Sequence, residues 1–306
     1  MSAAGSSTRI KLITGTAQRA LAESVARALE LPLEPVEISA FADGEIRVHI
    51  EADVREASVV ILHSTCPPVN DHVITLALLA DAARAAGARR ITALVPYFGY
   101  ARQEQRSRIG DARSAQVVAR LLGTVGIDHL VTLDLHAPAL ESALPMPATL
   151  LCADELFAPH IQGWKLEKLV VVAPDAGGIK RAQRIARRLE APVAVVTKER
   201  TKADVAIALQ VLGNVRDSVC ILIDDLASSG RTLAGAAEAL VRAGAAEVHA
   251  SFTHAVVAEG AWDRLLASPL KHIATTDSIP ITSHPRLQIL SIAPLLARTV
   301  RYLHDA

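Results

Sequence analysis

Short apolar runs alternate with helix-type segments along almost the whole chain, and that alternation restricts the fold more than any other feature. In the first half, runs at 10–13, 58–63 and 90–95 precede helix-type stretches at 17–29, 69–86 and 112–122, and a further run follows at 129–133. In the second half, runs at 169–172, 220–223 and 247–252 precede stretches at 179–189, 233–243 and 260–266, with further runs at 193–196 and 272–275. A strand, a crossover helix and a strand of the same sense form the parallel unit, whose handedness is nearly fixed. The pattern therefore predicts an α/β fold with mainly parallel sheets flanked by helices. Runs at 31–38 and 45–50 interrupt it and predict a small β-hairpin around Phe41-Ala42-Asp43-Gly44.

The chain has 306 residues, more than a single core usually serves, and Pro145 and Pro147 interrupt the helix pattern near its middle. Two domains are expected, at 1–147 and 148–306. An internal echo, Leu130-Val131-Thr132-Leu133-Asp134-Leu135-His136-Ala137 against Cys220-Ile221-Leu222-Ile223-Asp224-Asp225-Leu226-Ala227, suggests that they are similar. Aromatic residues make up only 3% of the chain, so the core must be aliphatic, as suits helices on a Val/Ile/Leu sheet.

Lys and Arg number 32, as do Asp and Glu, so net charge gives no argument for a nucleic-acid or membrane partner. Three scattered cysteines suggest neither a disulfide framework nor a zinc site. No apolar run reaches membrane-spanning length and the N-terminal residues are small and polar, so a cytoplasmic location is expected.

The stretch 219–233 reads as a strand, a turn and a helix start. The first amides of a helix lack intrahelical partners, and the helix dipole favours an anion beside them. Ser228, Ser229 and Thr232 add hydroxyl donors, and Gly230 permits close backbone approach. Asp224 and Asp225 could accept hydrogen bonds from sugar hydroxyls or hold a magnesium ion. Together they suit a phosphorylated sugar, though an ordinary N-cap after an acidic strand end fits the same residues.

Four other segments lie at predicted strand ends, where open parallel sheets collect ligands. Pro174-Asp175-Ala176-Gly177-Gly178 offers backbone amides to a pyrophosphate and a carboxylate to magnesium, or is a plain βα turn. His136 suits a metal, a phosphate or a buried carbonyl. Lys198-Glu199-Arg200 and Lys202 read as a polar loop, either solvated or a mobile clamp for developing phosphoryl charge. Tyr97, Phe98 and Tyr100 beside Arg102 offer either base-stacking rings or a packed loop.

Taken in order, Phe41-Ala42-Asp43-Gly44-Glu45, His63-Ser64-Thr65-Cys66-Pro67-Pro68-Val69-Asn70-Asp71, Val95-Pro96-Tyr97-Phe98-Gly99-Tyr100-Ala101-Arg102-Gln103, Asp134-Leu135-His136-Ala137, Pro174-Asp175-Ala176-Gly177-Gly178 and 219–233 resemble the motifs of the ribose-phosphate pyrophosphokinase family. The resemblance spans nearly the whole chain, and six motifs in sequence are far more specific than any one. It implies two type I phosphoribosyltransferase-like domains, the first carrying ATP-binding elements. It also implies transfer of a pyrophosphoryl group from magnesium ATP to the anomeric hydroxyl of ribose 5-phosphate, giving phosphoribosyl pyrophosphate and AMP.

By that resemblance, Asp224, Asp225, Ser228, Ser229, Gly230 and Thr232 bind ribose 5-phosphate. Asp175, Ala176, Gly177 and Gly178 meet the pyrophosphate. Phe41, Asp43, Glu45, Arg102 and Gln103 bind ATP, in a site shared between subunits of a homo-oligomer. His136 and Asp175 hold Mg2+, and Lys198 and Arg200 are catalytic. The chain departs from the usual pattern at Glu104, at 138–144, at Glu199 and at Arg231, which places a cation inside the phosphate turn. Two other readings compete: a phosphoribosyltransferase that consumes phosphoribosyl pyrophosphate, and a catalytically silent regulatory relative of the synthetase.

Overall fold

The computed structural model describes residues 9–200 and 207–305. Its contacts divide the chain into two compact units: unit 1 is Met1–Leu151, Ser278–Pro280 and Ser291–Ala306, and unit 2 is Cys152–Asp277 and Ile281–Leu290. The elements of unit 1 begin with β1 (Ile10–Thr14), α1 (Arg19–Leu29), β2 (Val36–Ala40), β3 (Ile46–Ile50), β4 (Ser58–Leu62) and α2 (Val69–Ala85). They continue with β5 (Arg90–Val95), α3 (Ser114–Thr124), β6 (His129–Leu133), a 3-10 turn at Pro138–Ala143 and β7 (Ala148–Leu151). Unit 2 holds α4 (Asp154–Gly163), β8 (Leu169–Ala173), α5 (Ile179–Leu189), β9 (Val193–Arg200), β10 (Ile207–Leu212) and β11 (Val219–Ala227). It also holds α6 (Arg231–Arg242), β12 (Glu247–Ala255), α7 (Ala261–Ala267), β13 (Leu270–Thr276) and β14 (Leu287–Leu290), after which α8 (Ala293–Asp305) returns to unit 1.

Unit 1 is built on a parallel sheet of order β1-β4-β5-β6-β7. Its β4 is buried at every position, as expected of a β-branched run covered on both faces. Val59 and Ile61 of that strand pack with Leu76 and Leu79 of α2, and each fully buried aliphatic side chain contributes about 1.5–3 kcal/mol. Helix α1 buries Leu21, Ala22, Val25, Ala26 and Leu29, a stripe at helical spacing. It stops at Glu30, whose left-handed backbone returns its N–H to the carbonyls of Ala26 and Arg27. The antiparallel pair β2-β3 stands apart from the sheet as the expected hairpin.

Unit 2 has the sheet order β10-β9-β8-β11-β12-β13-β14, parallel except for β10, which runs antiparallel to β9. Helix α6 buries Ala236, Ala237 and Ala239, small residues that let its backbone lie close to the sheet.

Four differences between sequence and structure stand out. The compact units divide at Leu151 and Cys152 rather than at 147 and 148, because 148–151 forms a fifth parallel strand, β7, that pairs with β6. The stretch 291–306, placed by sequence in the second domain, belongs to unit 1, where Arg301 donates to the carbonyl of Ala28 at 2.6 Å and Arg90 to that of Leu303 at 3.1 Å. Lys198, Glu199 and Arg200 are not in a loop: their backbone continues β9 and pairs with Leu209, Ala208 and Ile207 of β10. A strand pairing at a sheet edge tolerates polar residues, so apolar content alone ends the run too early. Finally, β11 extends through both aspartates to Ala227.

His63 of unit 1 is a buried polar residue without a side-chain hydrogen bond among the described residues. His63 is fully buried, neither ring nitrogen is paired among the described residues, and His72 meets it edge-on at 5.1 Å. Burial, reinforced by His72, pushes its pKa down to about 3, so the ring is neutral. Among the described residues, no helix is long and apolar enough to cross a membrane.

Candidate active site

In unit 2 the parallel neighbours β8 and β11 run side by side in register from Leu169↔Val219 to Val172↔Leu222, β8 ending at Ala173 and β11 running on to Ala227. Their carboxyl ends therefore bring the two anion-type loops to the same edge of the sheet. After β8, Asp175 is extended and its Oδ1 accepts from the N–H of Gly178 at 3.1 Å. The aspartate thus caps the short 3-10 turn Ala176–Gly178 that leads into α5. This commits the Gly178 N–H within the protein, a change from its expected availability to a ligand. Asp175, Ala176 and Gly177 are exposed, whereas Gly178 is buried.

On β11, Asp224 and Asp225 are held by a cation that the sequence reading passed over. Arg181 Nη1 lies 3.5 Å from Asp224 Oδ1 and 3.3 Å from Asp225 Oδ1. Asp225 also donates its backbone N–H to Asp224 Oδ1 at 2.9 Å. Burial, and then the neighbouring charge of Asp225, raise the Asp224 carboxyl above the ordinary range, against the opposing pull of Arg181. Arg181 carried one readable signal: a guanidinium in the first turn of a helix opposes the dipole and requires an anionic partner.

The turn beyond β11 is Ser228-Ser229-Gly230, and α6 starts at Arg231, two residues earlier than its apolar content indicates. Gly230 has φ 72, and a Cβ there would sit 3.0 Å from Leu265 Cγ and 3.1 Å from the carbonyl of Ala261. Glycine is required by backbone conformation and by packing alike. The turn is fastened from behind: Ala258 N–H donates to the Ser228 carbonyl at 3.1 Å, and Arg264 donates to the Ser229 carbonyl. Ser229, Arg231 and Thr232 are exposed and Ser228 is half-buried, so the open side of the turn presents hydroxyls and helix-start amides. Arg231 begins the helix without distorting it, and its side chain lies at the exposed surface. Lys198 and Arg200 have their backbones on β9, while Lys202 lies outside the described residues.

In unit 1 the hairpin tip is a tight turn, with Phe41 N–H donating to the Glu45 carbonyl at 2.8 Å and Gly44 N–H to the Phe41 carbonyl at 2.9 Å. Asp43 Oδ1 accepts from the Glu45 N–H at 3.2 Å, and the Phe41 ring is 58% exposed, an unusual cost for a large apolar group. The segment after β5 behaves differently from the stacking platform considered for it. Tyr97 and Phe98 are buried in the core, and Tyr100 turns its hydroxyl to Asn70 Oδ1. Gly99 donates its N–H to Thr65 Oγ1 at 2.6 Å in a contact too close for a Cβ, which would meet the Thr65 carbonyl at 2.5 Å. These rings anchor the segment, and Arg102 and Gln103 emerge from it exposed. Gln103 Oε1 accepts from Ser114 Oγ at 2.9 Å.

Among the described residues no hydrogen bond or ion pair joins the hairpin tip to Arg102 or Gln103. His136 follows β6 in unit 1 and is exposed, just after the strained Asp134 at φ 39. No group of three or more His, Cys, Asp or Glu converges as a metal cage among the described residues. Magnesium is typically bound by one or two carboxylates, with water and phosphate completing its shell, and the exposed Asp175 carboxylate fits that donor set.

Comparison with known proteins gives a consistent result. The N-terminal domain of ribose phosphate pyrophosphokinase matches residues 10–126, and a phosphoribosyl transferase domain matches residues 142–265. The ribose-phosphate pyrophosphokinase of Maricaulis maris is 41% identical over 297 residues, covering 95% of this chain and 96% of that protein. Its counterpart from Caldanaerobacter subterraneus is 38% identical over 300 residues, covering 97% and 95%. The crystal structure of phosphoribosylpyrophosphate synthetase from Mycobacterium smegmatis superposes with a TM-score of 0.92 at 34% identity, over 97% of this chain and 99% of that one.

Proposed function

The chain belongs to the ribose-phosphate pyrophosphokinase family, and from that premise we propose how its residues divide the transfer of a pyrophosphoryl group from ATP to ribose 5-phosphate. The reaction joins the anomeric oxygen of the sugar to the β-phosphorus of ATP and breaks that phosphorus's bond to the α-phosphate oxygen. The hydroxyl proton is lost, and AMP leaves with the electron pair. Phosphoribosyl pyrophosphate is the other product.

Ser228, Ser229, Gly230 and Thr232 hold the 5-phosphate through hydroxyls and helix-start amides, while Asp224 and Asp225 accept from the ribose hydroxyls. Asp175, Ala176, Gly177 and Gly178 line the path of the pyrophosphate. Lys198 and Arg200 stabilise the negative charge that builds on the transferring group, where fixed cations act most strongly. Phe41, Asp43, Glu45, Arg102 and Gln103 hold ATP, with the exposed Phe41 ring available to the base. The site is shared between subunits of a homo-oligomer. His136 and Asp175 would hold Mg2+, which would supply positive charge to the phosphates of ATP.

The observation that carries this reading is the joint presence, at one sheet edge, of a hydroxyl-lined helix start and a buried aspartate pair. An anion site beside paired acceptors suits a sugar phosphate better than either a free phosphate or an unphosphorylated sugar. Purified protein given ATP, ribose 5-phosphate and Mg2+ is expected to form AMP and phosphoribosyl pyrophosphate in equal amounts. Folded protein that forms neither product would refute the assignment.

A further inference from the structure

Helix α5 starts in the wrong way for an isolated helix. Its first turn holds no acidic residue, yet Lys180 and Arg181 follow immediately on Ile179, where the dipole favours anions. Arg181 reaches β11 instead of solvent, with only 15% of its side chain exposed, and meets carboxylates that are 14% and 6% exposed. The contacts of 3.5 Å to Asp224 and 3.3 Å to Asp225 are longer than the roughly 2.7–2.9 Å of a charge-assisted hydrogen bond. At that range the guanidinium makes one long hydrogen bond to Asp224 and an ion pair with Asp225, drawing the two acidic groups together. Arg181 Nε is itself buried and has no hydrogen-bond partner among the described residues.

We infer that Arg181 is a positioning residue for the sugar: it holds Asp224 and Asp225 together as acceptors for neighbouring hydroxyls, and sets them in register with the Asp175–Gly178 loop that opens its own helix. This rests on the proposed function, since it presumes that the aspartates face a ribose. It goes further in assigning part of the selectivity for a sugar with two adjacent hydroxyls to a residue that acts through the two aspartates.

The test is a pair of binding titrations by calorimetry, with ribose 5-phosphate and with 2-deoxyribose 5-phosphate, which lacks one hydroxyl. Wild-type protein, Arg181→Gln and Arg181→Lys are compared in the same magnesium buffer, each after its melting profile has been recorded. Arg181→Gln is expected to weaken ribose 5-phosphate binding roughly tenfold or more, the scale of losing order in charged hydrogen-bonding groups. Its loss with the deoxy sugar is expected to be at least about threefold smaller, since fewer hydroxyl contacts depend on the carboxylates. Arg181→Lys, which keeps the charge, is expected to fall between wild type and Arg181→Gln, and supplies the comparison if the glutamine variant does not fold. Equal losses for the two sugars, or no loss with ribose 5-phosphate, overturn the inference while leaving the function in place. Failure of the wild-type protein to bind ribose 5-phosphate overturns the function and this inference with it.

Discussion

Two strand ends that echo each other weakly in sequence take different shapes. Leu130–Ala137 and Cys220–Ala227 both run from aliphatic residues into an aspartate, yet β6 stops at Leu133 whereas β11 continues to Ala227. The neighbours decide the outcome. Beyond Ile223 the β11 backbone is still paired with β12, through Asp224↔Phe252, Leu226↔His254 and Ala227↔Ala255. Beside β6, the pairing with β5 ends at Val95↔Thr132 and that with β7 at Leu133↔Leu151. Without a ladder to follow, Asp134 bends to φ 39 and the chain enters a short 3-10 turn. Carboxylates on a paired strand are held rigidly, as the proposed sugar site requires, and the Ser228–Gly230 turn then has a 12-residue helix behind it. The same motif at the end of β6 supplies only an exposed histidine.

If the difference is functional, substitutions in unit 2 must act on sugar and phosphoryl chemistry, and those in unit 1's core must not. The largest effect is expected from Lys198→Ala on β9, which should lower kcat roughly 10²–10³-fold with little change in ATP affinity, as for any group acting mainly on transition-state charge. Steady-state kinetics with ATP varied will check it, and an unchanged kcat would remove Lys198 from catalysis. Next, Gly230→Ala places a Cβ against Leu265 and Ala261 at a positive φ, so melting should fall with about 1–3 kcal/mol of strain and ribose 5-phosphate KM should rise. A variant that keeps its KM would show that the turn is not the phosphate cradle.

Asp224→Asn should raise ribose 5-phosphate KM about tenfold, because one acceptor becomes a partial donor while Arg181 keeps Asp225 in place. The smallest effect on the site is expected from His63→Gln in unit 1, which should leave ribose 5-phosphate affinity within about twofold, since changes at separate sites act independently. Its signature is in stability. The folded pKa of His63 lies near 3, below the ordinary 6.5, so its neutral form supports folding above pH 6.5 and that support declines as pH falls toward 3. By pH 5 the wild-type protein should lose about 2 kcal/mol through this group alone, and His63→Gln should abolish that part of the slope in urea melts across pH 5–7. Identical slopes would mean that the ring gains a proton without leaving the core.

The architecture was legible because crossover units repeat a simple alternation that buried strands cannot avoid. What was not legible depended on pairing rather than composition. Lys198–Arg200 is too polar to announce a strand, and only β10 across from it makes it one. Asp224 and Asp225 likewise read as the end of a run, although β12 carries the ladder past them. Ser228–Thr232 could be read directly, since a left-handed glycine and a helix start leave a local signature. Arg181 could not, because its partners lie 43 residues away on another element and only its awkward place on the helix dipole hinted at them.

The return of α8 to unit 1 has a consequence for how the chain is made. Synthesis proceeds from the N-terminus, and domains generally fold as they emerge. Here the face of α1 that receives α8 stays uncovered until all of unit 2 has left the ribosome. Unit 2, nearly continuous in sequence, can close first, while its N-terminal neighbour waits with an apolar flank open to nascent chains nearby. The order of completion along the polypeptide is thus the reverse of the order of synthesis, and an arrest or truncation after Leu290 would injure the first-made unit rather than the last.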